Sequence, residues 1–330
     1  MKFILPDIRL SKKRLMKMYF LSFLFLFWGN GAFPGDSILT SPDIDDIAGP
    51  VKSVRFEESW YEDRDGVAVL AQRYLSSICH YEKNGILKER LFYDGNGITS
   101  SRWMRELDTR GRVIREAKYK GENQLITQVE FRYGETGNCT ETLMYRYDGV
   151  LEKQLSHQYN EKNQRVESSE QVNQVLKRKK VFIYDEKGNI FTQSDIDTEG
   201  KLEVKEEFYY DPRGDLFQTN LYNKDNELMA TMTYLRDEAG RTIEVLAHTQ
   251  GNRLDMRKLY GYDSHGNLAD LTTFGRDGKF MNRELYEYDY DDHGNWMQKK
   301  ESTARLNSTF EHPDRVIYRT ITYYDEESSE

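Results

Sequence analysis

The side chains that could carry catalysis or bind metals are few and scattered along this chain. The chain contains six histidines: His80, His157, His248, His265, His293 and His312. No two of them have a metal-ligand spacing such as His-Glu-x-x-His. The sequence also lacks a nucleophile elbow, a P-loop and a dinucleotide-binding fingerprint. We therefore predict no catalytic residues, no metal ligands and no cofactor.

Two further groups of residues have suggestive chemistry but a simpler explanation. Acidic pairs such as Asp291-Asp292 could act as carboxylate catalysts or Ca²⁺ ligands, yet similar acids recur at every predicted turn. The tripeptide Arg213-Gly214-Asp215 has the composition of an adhesion motif, but the turn itself requires its glycine. Both patterns indicate turn formation and solubility.

A tyrosine-aspartate-glycine motif recurs along the chain. Aromatic-x-Tyr-Asp-x-x-Gly occurs at 182–188, 208–214, 260–266 and 288–294, and a shorter copy occurs at 93–97. Aspartate favours the first position of a type I turn, and glycine favours the left-handed position that follows it. We therefore predict a set of structural turn residues: Asp94, Gly97, Asp185, Gly188, Asp211, Gly214, Asp263, Gly266, Asp291 and Gly294.

The spacing of the turns defines a repeat. From residue 85 to 137 and from 188 to 278, successive turns end alternately 12 and 14 residues apart, which gives a unit of 26 residues. Each interval leaves about 8–10 residues between turns, the length of an ordinary strand. The unit is therefore predicted to be a two-strand β repeat, and residues 138–187 follow it less regularly.

Hydrophobic alternation assigns two faces to the predicted strands. Leu125, Val129 and Phe131 fall on one face of a strand, whereas Gln128 and Glu130 fall on the other. Strand twist must coil so long a sheet. The predicted fold is all-β, a long antiparallel meander of about twenty strands coiled into an open spiral or shell with the aromatic face inside. A β-propeller with 52-residue blades is the alternative.

Composition and charge exclude other classes of protein. Aromatic residues make up 13% of the chain, including 23 tyrosines, whereas disordered chains are poor in aromatics. The net charge is -9, and the first 35 residues carry six bases against one acid, which leaves -14 for the remainder. The only basic run, Lys177 to Lys180, lies in a predicted strand, so we expect no nucleic-acid partner.

The N-terminus predicts export. A short apolar segment, Tyr19 to Trp28, follows a basic stretch and precedes small residues, as in a secretory signal peptide. We predict a signal peptide at 1–35, a linker at 36–50, a β-repeat domain at 51–325 and an acidic tail at 326–330. The product is expected in the periplasm, at the cell surface or secreted, with no membrane span after signal cleavage. A start at Met1, Met16 or Met18, and retention of the segment as an anchor, stay open.

Cys79 and Cys139, the only cysteines, are predicted to be free. Five strand steps separate them, which at about 4.8 Å per strand is roughly 24 Å, far beyond disulfide reach. Cys79 takes an aromatic position of the repeat, so it is expected in the core.

The segment Tyr260-x-Tyr262-Asp263-x-x-Gly266-Asn267-Leu268 resembles the YD repeat of the RHS family, and the resemblance covers about residues 75–300. It implies a sheet that winds into a hollow shell, in a bacterial secreted or cell-envelope protein. The repeat is longer than is usual in that family, and the family's terminal toxin domain has no counterpart here. We therefore carry over the repeat architecture and not toxin encapsulation.

Three functions are compatible with these patterns. The first is a binding or structural module of the cell envelope or extracellular space, with a protein or glycan surface as partner. The second is a carbohydrate-active enzyme with an acidic site in a cavity of the sheet. The third, an outer-membrane barrel, is disfavoured by Lys205, Glu206 and Glu207 in a single strand.

Overall fold

The computed structural model describes residues 47–305 and 312–324 of the chain. Apart from one 3-10 turn at Arg276–Gly278, the regular structure of these residues is entirely β. The strands, in chain order, are β1 (Val51–Arg64), β2 (Val67–Leu70), β3 (Tyr74–Tyr81), β4 (Leu87–Tyr93), β5 (Thr99–Leu107), β6 (Val113–Lys120), β7 (Gln124–Tyr133), β8 (Cys139–Arg146), β9 (Leu151–Tyr159), β10 (Arg165–Val172), β11 (Val175–Tyr184), β12 (Ile190–Ile196), β13 (Leu202–Tyr210), β14 (Leu216–Asn223), β15 (Leu228–Arg236), β16 (Thr242–Thr249), β17 (Arg253–Tyr262), β18 (Leu268–Phe274), β19 (Phe280–Tyr290), β20 (Trp296–Arg305) and β21 (Arg315–Tyr323).

The hairpin turns show how the motif shapes the chain. After β17, Asp263 Oδ1 accepts the backbone N–H groups of His265 at 2.9 Å and Asn267 at 2.8 Å. Gly266 adopts the left-handed conformation, with φ of +88°. A capping aspartate and a left-handed residue together form a type I turn with a bulge, a favoured hairpin connection. The same aspartate contacts recur at Asp94, Asp211 and Asp291.

The first and last strands close the sheet into a barrel. β1 pairs in antiparallel register with β21 along Val51–Trp60 and with β3 along Ser53–Glu58. β2 is a short hairpin extension of β1, and each remaining strand pairs with the strands before and after it. β1 and β3 to β21 therefore form a closed ring of twenty antiparallel strands.

The strands are staggered around this ring. A line drawn straight across the strands runs from Lys118 to its partner Thr127 and on to Arg146. Lys118 and Arg146 are 28 residues apart, whereas the sequence repeat is 26. Equivalent residues of successive two-strand units are therefore displaced by two residues along the strands, so the strands are tilted relative to the barrel axis. Twenty strands about 4.8 Å apart and tilted by about 35–45° enclose a barrel about 40 Å in diameter. Extensive contacts join only strands that are neighbours in the sheet, so the described strands form a single layer around an interior.

The predicted open spiral or shell is wrong, and so is the propeller alternative. The chain is all-β with about twenty antiparallel strands, as expected, but the two ends of the sheet meet. The stagger and twist bring β21 beside β1, and their pairing satisfies the N–H and C=O groups that an open sheet would leave exposed at its edges.

The same closure corrects the prediction of no membrane span. Closed β-barrels and α-helices are the two structures that can cross a bilayer, because both pair their backbone polar groups internally. Twenty strands fall within the range of outer-membrane barrels. Within the described part of the chain, no helix is long and apolar enough to span a membrane.

One face of the sheet is much more buried than the other. Val54, Cys79 and Val129 have no exposed surface, and the pairing register places all three on the same face. Side chains on the concave face of a barrel converge toward its axis, so we identify this face as the inward one. Residues of the opposite register, such as Ile183 and Leu235, are 56% and 53% exposed.

Bulges change the predicted facing of some side chains. Val129 and Phe131 lie inward, with Gln128 and Glu130 opposite to them on the outward face. A register shift between Lys118 and Tyr119 leaves Ile126 without a partner and turns Leu125 outward, against the prediction. Strict alternation fails here because a bulge inserts one extra residue into one strand.

The predicted signal peptide (1–35), its alternative start sites, residues 36–46 of the predicted linker and the acidic tail (326–330) lie outside the described residues. Residues 47–50 lie at the barrel rim that carries both ends of the sheet. There the Ala48 N–H donates to Asn295 Oδ1 at 2.7 Å, and Asn295 Nδ2 donates to the Ala48 carbonyl at 3.0 Å.

Candidate binding site in the barrel interior

Aromatic side chains line the inward face of the barrel. Trp60, Trp103 and Trp296 all have the inward register, as do tyrosines near the ends of many strands. Indole and phenol rings combine a flat apolar face with a polar edge, which suits planar or ring-shaped ligands. The interior is therefore lined by ring surfaces as well as by charge.

Bases outnumber acids on this inward face. The inward lysines and arginines of the twenty barrel strands number sixteen: Arg90, Arg105, Lys118, Lys120, Arg146, Lys153, Arg165, Arg178, Lys180, Arg236, Arg253, Lys258, Lys299, Arg305, Arg315 and Arg319. The inward acids number seven: Glu58, Glu116, Glu170, Asp195, Glu206, Glu284 and Glu301. The barrel wall thus presents nine more bases than acids to its interior, although the whole chain is acidic.

Several inward acids are held by bases on neighbouring strands. Arg105 Nε donates to Glu116 Oε1 at 2.8 Å, and Glu116 is only 1% exposed. Glu170 Oε2 contacts Arg178 at 3.0 Å and Lys153 at 3.3 Å. Burial favours the neutral acid, but these two bases outweigh it and hold the pKa of Glu170 below its usual value. This group contains two bases and one acid, so the group as a whole adds to the basic excess of the inward face.

Near the seam between β1 and β21, two guanidinium groups lie over aromatic rings. The Arg319 guanidinium lies 3.3 Å from the Trp296 ring centre and 5.2 Å from that of Phe56. The Arg90 guanidinium lies 5.5 Å from the Phe56 ring centre and 4.6 Å from that of Phe92. Arg90 Nη2 also donates to Ser77 Oγ at 3.2 Å. Cation–π contacts of this kind hold each guanidinium flat against the wall.

The pattern continues across β5 and β6. Arg90, Trp103 and Lys118 are paired in register on β4, β5 and β6. The rings of Phe92 and Trp103 meet edge to face at 5.0 Å, and Lys118 Nζ lies 5.2 Å from the Trp103 ring centre. We call this band the cation–aromatic stripe; it comprises Trp296, Arg319, Phe56, Arg90, Phe92, Trp103 and Lys118.

A second polar cluster lies on the opposite side of the ring, on β11 to β13. Lys180 Nζ contacts Asp195 Oδ1 at 3.2 Å, and Gln193 lies opposite Glu206. Glu206 is 5% exposed, and its Oε1 has no hydrogen-bond partner among the described residues. Burial, opposed by Lys180 and reinforced by Asp195, raises the pKa of Glu206 to about 7. Glu206 is therefore protonated over part of the neutral pH range.

The outward face also carries charge, arranged largely as cross-strand pairs. Arg257 Nε lies 2.6 Å from Glu244 Oε1, and Arg132 Nη1 lies 3.0 Å from Glu141 Oε2. Such exposed pairs each contribute at most about 1 kcal/mol. Because each of these pairs joins one base to one acid, the pairs add no net charge, and the outward face lacks the basic excess of the interior.

The predicted turn residues are distributed around the two rims and do not converge on one site. The turns of Asp185, Asp211, Asp263 and Asp291 lie at the rim with the chain ends, whereas the turn of Asp94 lies at the opposite rim. The associated glycines all have positive φ, between +77° and +91°: Gly97, Gly188, Gly214, Gly266 and Gly294. Their role in the structure is to form the hairpins.

The sequence predicts a site in a cavity of the sheet only under the enzyme alternative, and it assigns no residues to that site. Residues 138–187, where the repeat is less regular, include strands β8 to β11, which form ordinary hairpins of the barrel wall. A usable signal was present: Glu206 has the same register as Val204 and Phe208 in an otherwise apolar face of β13. Charged residues in phase with the aromatic face mark the lining of the interior.

Within residues 47–305 and 312–324, no group of three or more histidine, cysteine, aspartate or glutamate side chains is arranged to hold a metal ion. Both cysteines are free, as predicted. Burial raises the pKa of Cys79 to about 11, so its thiol is protonated and unreactive at neutral pH.

Comparison with solved structures gives distant likenesses. No protein-family model and no curated protein matches the chain. A porin-like protein from Bacteroides uniformis is 10% identical, with 84% of this chain and 98% of that chain covered and a TM-score of 0.34. A porin-like protein from Bacteroides vulgatus is 11% identical over 83% of this chain and 98% of that chain, with a TM-score of 0.22. The barrel assignment therefore rests on the strand pairing.

Proposed function

We propose that this protein is an exported binding module of the cell envelope, a β-barrel that takes up glycan or peptide ligands in its interior. The observation that carries the proposal is the inward face, where aromatic rings and charged groups are concentrated on the concave side of a closed wall. Barrels with this many strands are wide enough to enclose a ligand cavity or an aqueous channel. The predicted signal peptide supports export.

The interior positions of the tryptophans provide a direct test. Trp60, Trp103 and Trp296 are the only tryptophans among the described residues, and all three face inward. A ligand that enters the barrel should change their fluorescence. We would screen the mature protein against a glycan array and follow each hit by fluorescence titration.

Paired variants locate the binding surface. Replacing the inward Trp103 by alanine should weaken binding at least tenfold, whereas replacing the outward Leu235, which is 53% exposed, by alanine should not change it. Binding that is lost in the Leu235 variant but kept in the Trp103 variant would place the ligand outside the barrel and refute the proposal. Alkaline carbonate extraction of cell envelopes would show separately whether the barrel is integral to a membrane.

A carbohydrate-active enzyme is the second candidate, favoured by one observation. Asp195 and Glu206 lie on adjacent strands of the inward face, and the pKa of Glu206 is raised to about 7, as suits a general acid. However, Glu206 is 5% exposed, which keeps its carboxyl from a substrate. Hydrolysis of a bound glycan that is abolished by Glu206→Gln would favour the enzyme over the binding module.

A further inference from the structure

We propose that the cation–aromatic stripe is the binding site of an extended acidic oligosaccharide, one that carries carboxylate groups on its sugar rings. This inference rests on the proposed binding function and narrows it to a ligand class and to one part of the wall. It starts from the charge of the stripe, which contains three bases and no acid.

Two of these bases have no carboxylate partner in the described wall. Arg90 forms its side-chain hydrogen bond with Ser77 Oγ at 3.2 Å, and its Nε has no partner among the described residues. Lys118 lies over the Trp103 ring at 5.2 Å and takes part in no ion pair among those residues. By contrast, some inward bases elsewhere contact acids, as Arg105, Lys180 and Arg315 do. The stripe is thus a part of the interior that can still gain charge-assisted hydrogen bonds to an anion.

The bases are already positioned by their neighbours. Phe56 and Phe92 support Arg90, and Trp103 supports Lys118. A cation that is held against a ring loses less side-chain entropy when it binds an anion than one on a free side chain. The arrangement therefore favours binding without rearrangement of the wall.

The accessible part of the stripe is longer than a single small ion. Trp296, Arg319 and Phe56 are 3–6% exposed and form its buried end. Arg90, Phe92, Trp103 and Lys118 are half-buried on β4, β5 and β6, two strand steps or about 10 Å along the wall at about 4.8 Å a step. Bases and rings alternate over this distance. A single phosphate or carboxylate ion would engage one base at a time, whereas a chain of uronate sugars offers a carboxylate and a ring face in every unit.

Other anionic polymers fit less well. A nucleic acid also stacks its bases on aromatic rings, but its affinity comes from neutralising many phosphates, and the stripe offers only three bases. An acidic peptide would satisfy the bases but has no ring faces to lie on the indoles. The acidic glycan uses both components of the stripe.

The test compares three probes of similar length on the full mature protein by calorimetry and tryptophan fluorescence. The probes are a pentamer of galacturonate, a neutral maltopentaose and a penta-aspartate peptide. We expect the galacturonate pentamer to bind at least tenfold more tightly than either of the others, and to weaken as salt is raised. Equal binding of maltopentaose would refute the anionic ligand while leaving a binding interior intact. Equal binding of penta-aspartate would refute the glycan. No binding of any probe would refute this inference, whereas the proposed function is refuted only if the glycan array is silent as well.

Charge-neutralising variants test the position of the site. Lys118→Gln should lower galacturonate affinity about tenfold and reduce its salt dependence, with maltopentaose binding unchanged. Arg90→Gln should do the same; because Arg90 is partly buried, Lys118→Gln also serves if the Arg90 variant fails to fold. Arg102→Gln, on the outward face of β5, is the matched control and should bind like the parent. An unchanged affinity in a folded Lys118→Gln variant would overturn the assignment.

Discussion

Glu206 shows what a single charged residue does on the inward face. Its ordinary pKa of 4.5 is raised to about 7 in the folded chain because the carboxyl is buried. Between pH 4.5 and about pH 7, the Glu206 carboxyl loses its proton in the unfolded chain and keeps it in the folded chain. The free energy of unfolding therefore falls as the pH rises through this window, by at most about 3 kcal/mol.

Glu206→Gln is expected to remove this pH dependence. The variant should be more stable than the parent at pH 8, where the parent buries a carboxylate, and should gain nothing at pH 4.5. Urea denaturation at the two pH values measures the difference. Glu203→Gln, at an exposed position of the same strand, is the control and should follow the parent at both values. Identical pH profiles for parent and Glu206→Gln would contradict the assigned burial.

The turn at residues 94–97 offers a second prediction about single residues. Gly97 has φ of +77°, whereas Gly95 has no positive φ, and a methyl group at either position would meet no atom within 4 Å. Gly97→Ala is expected to destabilise the chain by about 1–2 kcal/mol because only the conformation opposes it. Gly95→Ala should be neutral or slightly stabilising. Thermal unfolding of both variants checks this, and an equal loss in both would show that backbone conformation is not the cause.

Neighbouring hairpins are joined by a series of tyrosines at the rim that carries the chain ends. Tyr133, Tyr159, Tyr210 and Tyr262 each donate a hydroxyl hydrogen bond, at 2.6 to 2.9 Å, to a backbone carbonyl 20 residues earlier. Arg236 takes the equivalent position on β15 and donates from Nε to the Leu216 carbonyl at 3.4 Å. The tyrosine of the turn motif thus links one two-strand unit to the next.

Tyr262→Phe is expected to lower the free energy of unfolding by about 1 kcal/mol, because it removes the donor to the Thr242 carbonyl and keeps the ring. Tyr147→Phe is the matched control, since Tyr147 is 70% exposed and its hydroxyl makes no hydrogen bond recorded for the described residues. Chemical denaturation of the two variants should separate them. A neutral Tyr262→Phe would show that water replaces the lost bond.

At the scale of the whole molecule, stability depends on the seam between β1 and its neighbours β21 and β3. Val54, with no exposed surface, lies between Ile321 and Cys79 across this seam. Arg315 joins the two ends of the chain through its contact with Glu58 at 3.2 Å, and it also contacts Glu301 on β20 at 2.6 Å. The pairing of β1 with β21 joins residues more than 250 positions apart in sequence, so barrel closure is expected to be the slow step of folding.

Val54→Asp is expected to destabilise the barrel by about 4 kcal/mol or more, because it buries a carboxylate in the seam. An open barrel exposes the edges of β3 and β21, which then pair with other copies. Size-exclusion chromatography with light scattering should therefore detect oligomers or aggregates. Val150→Asp, at a 48% exposed position of a turn, should stay like the parent. A monomeric Val54→Asp variant with the parent's unfolding midpoint would show that the seam does not control the fold.

The sequence by itself determined the strands, their antiparallel order and the chemistry of the turns. These depend on local rules: turn geometry requires aspartate and glycine at fixed offsets, and strand alternation has a period of two. Only the tertiary structure decided that the sheet closes, because closure depends on small staggers that add up over twenty strands. The tertiary structure also decided which face each side chain takes near a bulge such as that at Ile126. It placed bases from distant strands on the same concave face of the wall. The sequence shows an acidic chain; the closed barrel turns that chain into a wall with a basic interior, because facing is set by register and curvature, which composition does not record.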